Sequence, residues 1–335
     1  MPRIAAIMLT VCTLFVAVLP ASAQQRSDLA PVRTHDVAVR GAHAFLGQTA
    51  GFRVLDISDP VRPRELAHMR LSASVLGVTL DGDRAYLAAG SLGLLIVDIS
   101  DPELPRFLVR LDTAGSVHRI AVRGTTAFVA DDVQGLRVVD LSRENEPRIV
   151  ATVPTRSAVR ALSLDGERLV IAEGTAGIRL FDVSRPSAPR ETSIVSSLDD
   201  VRDVAIRGER LLAAAGRQGV RLFELGPPGT RPREIASIAP LTQAHGLILR
   251  DDLLVIANGA AGGQIVELSS DRAPLEIAEL RLPRSLPVGR GRITDDDRLV
   301  VAIDVGGVAV VDLSLPGAPE VLSPRERKMK VTIHE

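Results

Sequence analysis

Side chains able to carry positive charge recur at one position along this sequence. Counting back six residues from a repeated turn residue (Gly41, Gly82, Gly124, Gly166, Gly208, Asp251 and Asp296) gives His35, Leu76, His118, Arg160, Arg202, His245 and Arg290. Three of the chain's six histidines are in that set. Arginine presents a planar fork that matches carboxylate and phosphate, and imidazole changes its charge near neutral pH. Gathered around one opening, such groups concentrate anions, which makes His35, His118, Arg160, Arg202, His245 and Arg290 candidate ligand-binding residues for a small anion or an acidic segment of a partner protein. The same positions admit two other readings. His35, His118 and His245 are imidazoles of the kind that bind copper or zinc, although no HxH or HExxH spacing accompanies them. Alternatively, Asp131, Asp132, Glu173 and Asp304, expected on the same face, pair with the arginines of neighbouring units and stitch the fold together.

Other catalytic chemistry has little to stand on. There is no G-x-S-x-G nucleophile elbow, and the single cysteine, Cys12, falls in a segment expected to be removed. Gly259-Ala260-Ala261-Gly262-Gly263 is glycine-rich, but no helix follows it to complete a phosphate cradle. Asp199-Asp200 and Asp295-Asp296-Asp297 sit in turn-like stretches, where carboxylates are solvated, whereas general-acid work needs one of them buried. No catalytic residue, metal ligand or cofactor is assigned.

The elements that must position the candidate residues follow from a repeat. Seven glycines (Gly51, Gly93, Gly135, Gly177, Gly219, Gly262 and Gly307) each open an apolar run. An acid stands five residues later in every case: Asp56, Asp98, Asp140, Asp182, Glu224, Glu267 and Asp312. The spacing between successive glycines is 42, 42, 42, 42, 43 and 45 residues. Within one unit, residues 117–153, short β-branched runs alternate with turn signals, as in consecutive antiparallel strands, and no helical period extends over ten residues. Four strands in about 42 residues match the length of one propeller blade, so the fold is predicted to be all-β, a seven-bladed β-propeller of four-stranded antiparallel blades. Closing the ring removes the exposed end faces of an open stack. The repeated Asp has a structural explanation: with the following Ser it caps the turn by accepting backbone N–H bonds.

The third strands read Arg53-Val54-Leu55-Asp56-Ile57-Ser58-Asp59-Pro60, Leu94-Leu95-Ile96-Val97-Asp98 and Arg137-Val138-Val139-Asp140-Leu141-Ser142. This pattern resembles the LVIVD-repeat family of bacterial exported β-propellers, a likeness that extends over about residues 32 to 322. The resemblance implies a propeller and an extracytoplasmic setting, with no common activity. Blades five and six depart from it, with Glu224 and Glu267 in place of Asp and Gly226 in place of the first Ser.

Composition agrees with a binding or interaction module. Net charge is −1 and aromatics make up 2%, which argues against nucleic acid and against an aromatic sugar platform. Residues 1–23 combine Arg3, an apolar run from Ile4 to Leu19 and Ala21-Ser22-Ala23, the pattern of a cleaved signal peptide rather than a membrane anchor. The expected organisation is therefore a signal peptide (1–23), a lead-in (24–34), the propeller (35–322) and a C-terminal tail (323–335), in a periplasmic or extracellular monomer. Val331-Thr332-Ile333 is a candidate extra strand on a blade edge. The readings left open are a metal-dependent propeller enzyme using the histidines and an envelope adhesion or structural protein.

Overall fold

The computed structural model describes residues 32–143, 145–269, 273–282, 287–303, 307–323 and 332–333. The expected signal peptide, most of the lead-in, Asp304 and most of the tail lie outside them. Among the described residues the strands form seven antiparallel sheets, each built around four consecutive strands in up-and-down order, and there is no helix. The inner strands are Thr34–Arg40, Gly77–Asp81, Arg119–Arg123, Ala161–Asp165, Asp203–Arg207, Gly246–Arg250 and Gly291–Ile293. Each packs against the inner strand of the next blade, and the last packs against the first, so the ring is closed.

The repeat markers have local causes. At Gly135 and Gly177 the backbone takes φ of 87° and 86°, a region that side chains disfavour, and an added Cβ would run into the carbonyl of the outer strand, Val153 and Val195 respectively. Third and outer strands of every blade share a register shift at the same place, for example Val138/Val139 and Leu180/Phe181, a bulge that increases twist. The Asp–Ser pairs close the next turn: Asp56, Asp98, Asp140 and Asp182 each accept the backbone N–H of the serine two residues on at 2.9 Å, and Asp312 does so at 2.8 Å. In blade five Glu224 instead pairs with Arg233 on the outer strand.

Seven apolar clusters lie one at each seam between blades. Phe128, Leu136 and Val138 of blade three meet Leu169, Ile171 and Phe181 of blade four, all essentially without solvent contact. The seam that closes the ring sets Val37, Ala44, Leu46, Leu55 and Ile57 of blade one against Val300, Val308 and Val310 of blade seven. Burying side chains of this size stabilises by about 1.5–3 kcal/mol each, so the seams dominate the stability of the ring. Third strands such as Leu94–Asp98 are covered on both faces, because each blade is sandwiched between two others. The tail contributes Thr332–Ile333 as a fifth strand on blade six, paired with Ala278 and Glu279.

Candidate functional site

The inner strands start at one end of the ring, and the chain approaching each of them is pinned there to the blade before. Val117 and Gly90 exchange backbone hydrogen bonds, and the N–H groups of Val159, Val201, Ala244 and Val288 donate to Asp132, Gly174, Gly216 and Gly259 of the preceding blade at 2.9–3.0 Å. The following residue then donates to the end of its own second strand: Leu76 to Ala88, His118 to Ala130, Arg160 to Ala172, Arg202 to Ala214 and His245 to Ala257. Backbone hydrogen bonds therefore hold these residues at one height on the channel wall.

A cavity of about 630 Å³ opens at this end, and every blade contributes to its wall. His35, Leu76, His118, Arg160, Arg202, His245 and Arg290 all line it, so the structure brings together the six candidate residues and the leucine at the seventh position. Arg290 does not stand where the count from the turn puts it. In blade seven the residue that follows the pinned Val288 and donates to the second strand, at Ala302, is Gly289. The cause is the first turn of that blade: Thr294 closes onto Arg298 over Asp295, Asp296 and Asp297, one residue more than the two-residue turn between Arg123 and Thr126. Arg290 thus belongs one step deeper.

That deeper tier is the part sequence reasoning missed. Its members are Asp36, Gly77, Arg119, Ala161, Asp203, Gly246 and Arg290, and they form the same three-blade device twice. Arg119 reaches over Gly77 to Asp36, 3.4 Å away, and to the Leu76 carbonyl. Arg290 reaches over Gly246 to Asp203 at 2.7 Å and donates to the Arg202 carbonyl at 3.1 Å. Glycine is required beneath the first arginine, because a Cβ at Gly77 would sit 2.8 Å from the Arg119 guanidinium and 2.9 Å from the His118 carbonyl. Each aspartate also accepts a backbone N–H from the next blade, Val78 or Leu247, at 3.0 Å. The signal was present as Asp, Gly and Arg one residue after the counted positions in blades one to three, and as Asp203 and Gly246 in blades five and six with Arg290 itself in blade seven.

The expected stitching by Asp131, Asp132, Glu173 and Asp304 is not the arrangement found. Asp131 pairs with Arg137 at 3.3 Å and Glu173 with Arg179 at 2.9 Å, each inside its own blade, and Asp304 lies outside the described residues. Asp132 faces His118, with Oδ1 3.8 Å from Nε2. Arg202 is held by Asp200 at 2.6 Å and donates a guanidinium N–H to His245 Nδ1 at 2.6 Å. His35 Nε2 lies 3.3 Å from Thr49 Oγ1. Arg160 is exposed at the mouth, and its guanidinium has no carboxylate or hydrogen-bond partner among the described residues.

The electrostatics follow from this crowding. Burial brings the Arg119 guanidinium down to about 10, and the like charge of Arg290 adds to the effect against Asp36 and Asp203, so it stays charged at neutral pH. Burial also lowers His118, helped by Arg160, Arg119 and Arg290 and opposed by Asp132. His245 is lowered by desolvation, then by Arg202 and Arg290, against Asp200. Both imidazoles are therefore neutral at pH 7. Among the described residues no group of three His, Cys, Asp or Glu side chains is placed to hold one metal ion, so His35, His118 and His245 do not assemble into a metal triad.

A family model described as the LVIVD repeat matches residues 33–69, 73–113 and 114–155. Among solved structures, the chain is similar to the computationally designed Ika8 protein, with 12% identity and a TM-score of 0.61 over 83% of this chain and 82% of that one, a likeness of fold alone. No curated protein matches.

Proposed function

We propose that this LVIVD-repeat propeller is a non-enzymatic interaction module whose channel mouth binds a small anion, or an acidic side chain of a partner protein. The observation that carries the reading is Arg160: a guanidinium at the opening of a cavity walled by all seven blades, left without a counter-ion where its neighbours Arg119, Arg202 and Arg290 all have one. A ligand carboxylate or phosphate meeting Arg160 gains a bidentate, charge-assisted pair without breaking an existing one. Backbone hydrogen bonds between blades fix the chain that carries the mouth side chains before a ligand arrives, which lowers the cost of binding.

Calorimetric titration with a panel of small carboxylates and phosphates tests this. Arg160→Ala should weaken the best of them by about tenfold or more, because the truncated group is a guanidinium without a counter-ion among the described residues. Equal affinity in the variant overturns the assignment. The reading includes export through residues 1–23, for which the support is their Arg3, apolar run and Ala21-Ser22-Ala23 ending. Cell fractionation showing the full-length chain in the cytoplasm would remove that part.

A further inference from the structure

Among the described residues the arginine and carboxylate charges around the cavity balance, and that balance identifies what else must move when an anion enters. Four guanidinium groups line the cavity, on Arg119, Arg160, Arg202 and Arg290. Four carboxylates stand against them or against the histidines: Asp36 on Arg119, Asp203 on Arg290, Asp200 on Arg202 and Asp132 beside His118. One unpaired guanidinium can compensate one negative charge. A second would be placed in a half-enclosed space without a counter-charge, which is costly.

The compensating groups are already in place. His118 lines the cavity with Arg119, Arg160 and Arg290 around it and Asp132 on its far side. A buried oxygen of Asp132, Oδ1, accepts no hydrogen bond and lies 3.8 Å from His118 Nε2, poised for an imidazolium. His245 lines the same cavity between Arg202 and Arg290, with Asp200 within electrostatic reach. We propose that the mouth takes a small dianion together with protons delivered to His118 and His245, so that binding couples to proton uptake. The proposal rests on the anion reading above and names its ligand class: two negative charges, matched by Arg160 and by imidazolium.

The mechanism of the coupling is mutual relief. The free cavity keeps both imidazoles neutral through burial and through the surrounding arginines. A dianion among those arginines reverses the local potential, raises the affinity of each imidazole for a proton and receives an N–H donor in return. Because the complex then binds more protons than the free protein, affinity falls as pH rises through the free and bound imidazole values and is flat above them.

The test uses ethanedisulfonate and ethanesulfonate, a dianion and a monoanion that do not titrate between pH 5 and 8, on the full mature chain. Calorimetry in two buffers of different ionisation enthalpy should report proton uptake with ethanedisulfonate. Its affinity should strengthen by up to about tenfold per pH unit per proton as pH falls from the bound towards the free imidazole values, while ethanesulfonate shows a much shallower slope. His118→Gln and His245→Gln should each reduce the slope, and NMR of the imidazoles should show both values rising on binding. Binding of ethanedisulfonate with no proton uptake and a flat profile overturns the proton coupling and leaves the anion site standing. Absence of binding of either probe at every pH overturns both.

Discussion

The two ends of the channel use the same residue for opposite ends. Away from the mouth, arginine closes each inner strand of blades one, three, five and six, and it is consumed by the neighbouring blade. Arg40 donates to the carbonyls of Gly82 and Ile99 at 2.6 Å and pairs with Asp83 at 3.1 Å, its guanidinium lying over the buried Phe45 ring. Arg123 donates to Gly166 and to Val183, the latter at 2.7 Å, over Phe128. Arg250 reaches Thr294 and Asp297. At the mouth, Arg119 and Arg290 are spent in the same way one tier down, but Arg160 is not. The arginines that latch two blades direct guanidinium N–H groups at carbonyls and acids, whereas the Arg160 guanidinium, proposed to serve a ligand, meets none among the described residues. Residue type alone does not separate structural from functional arginine, but the census of partners does.

The contrast can be broken at three depths. The largest effect belongs to the frame that both ends share: Gly177→Ala puts a side chain at φ 86° against the Val195 carbonyl and should lower the unfolding free energy by about 2–4 kcal/mol, read by chemical denaturation. Next is a paired comparison. Arg40→Ala removes hydrogen bonds that stitch blade one to blade two and should cost about 1–3 kcal/mol of stability with anion affinity unchanged. Arg160→Ala should do the reverse, with stability within about 0.5 kcal/mol of the parent and affinity lost. If both variants behave alike, the division between latch and ligand arginine fails. The smallest effect is at the turns on the latch end. Hydrogen bonds from Ser58, Ser100, Ser142, Ser184 and Ser314 hold Asp56, Asp98, Asp140, Asp182 and Asp312 below the usual carboxylate range. Their contribution is complete above the ordinary aspartate value and is lost as pH falls through the lowered ones. Asp140→Asn, which keeps an acceptor but no charge, should therefore show a shallower loss of stability below about pH 4 in acid melts than the parent.

Much of this was legible in the chain. The glycine and acid period of about 42 residues marks the blades, because each marker meets a local demand: a left-handed backbone at Gly135, a capped turn at Asp140. The mouth residues were legible as far as the turns have equal length. They do so in blades one to six, and Arg290 slips by one where Asp295 to Asp297 add a residue. The deeper tier was hidden for a different reason. Its members become meaningful only when three successive blades are superposed, since Arg119 acts on Asp36 over 83 positions of chain. The pairing of Asp131 and Glu173 within their own blades was equally hidden, because it depends on which way a side chain leaves a loop.

Blade one and blade seven each come from a single contiguous stretch, so the ring is shut by apolar side chains meeting across the seam rather than by a strand lent from one end of the chain to the other. The two extremities abut without being woven together. Apart from the tail strand on blade six, such a circle can gain or lose a whole unit by duplication or deletion of the gene segment without leaving any sheet short of a strand, and the termini could be moved to another of the six linkers with the gap simply relocated. Copy number is in that sense an adjustable property of this architecture, and with it the width of the opening that the arginines and histidines surround.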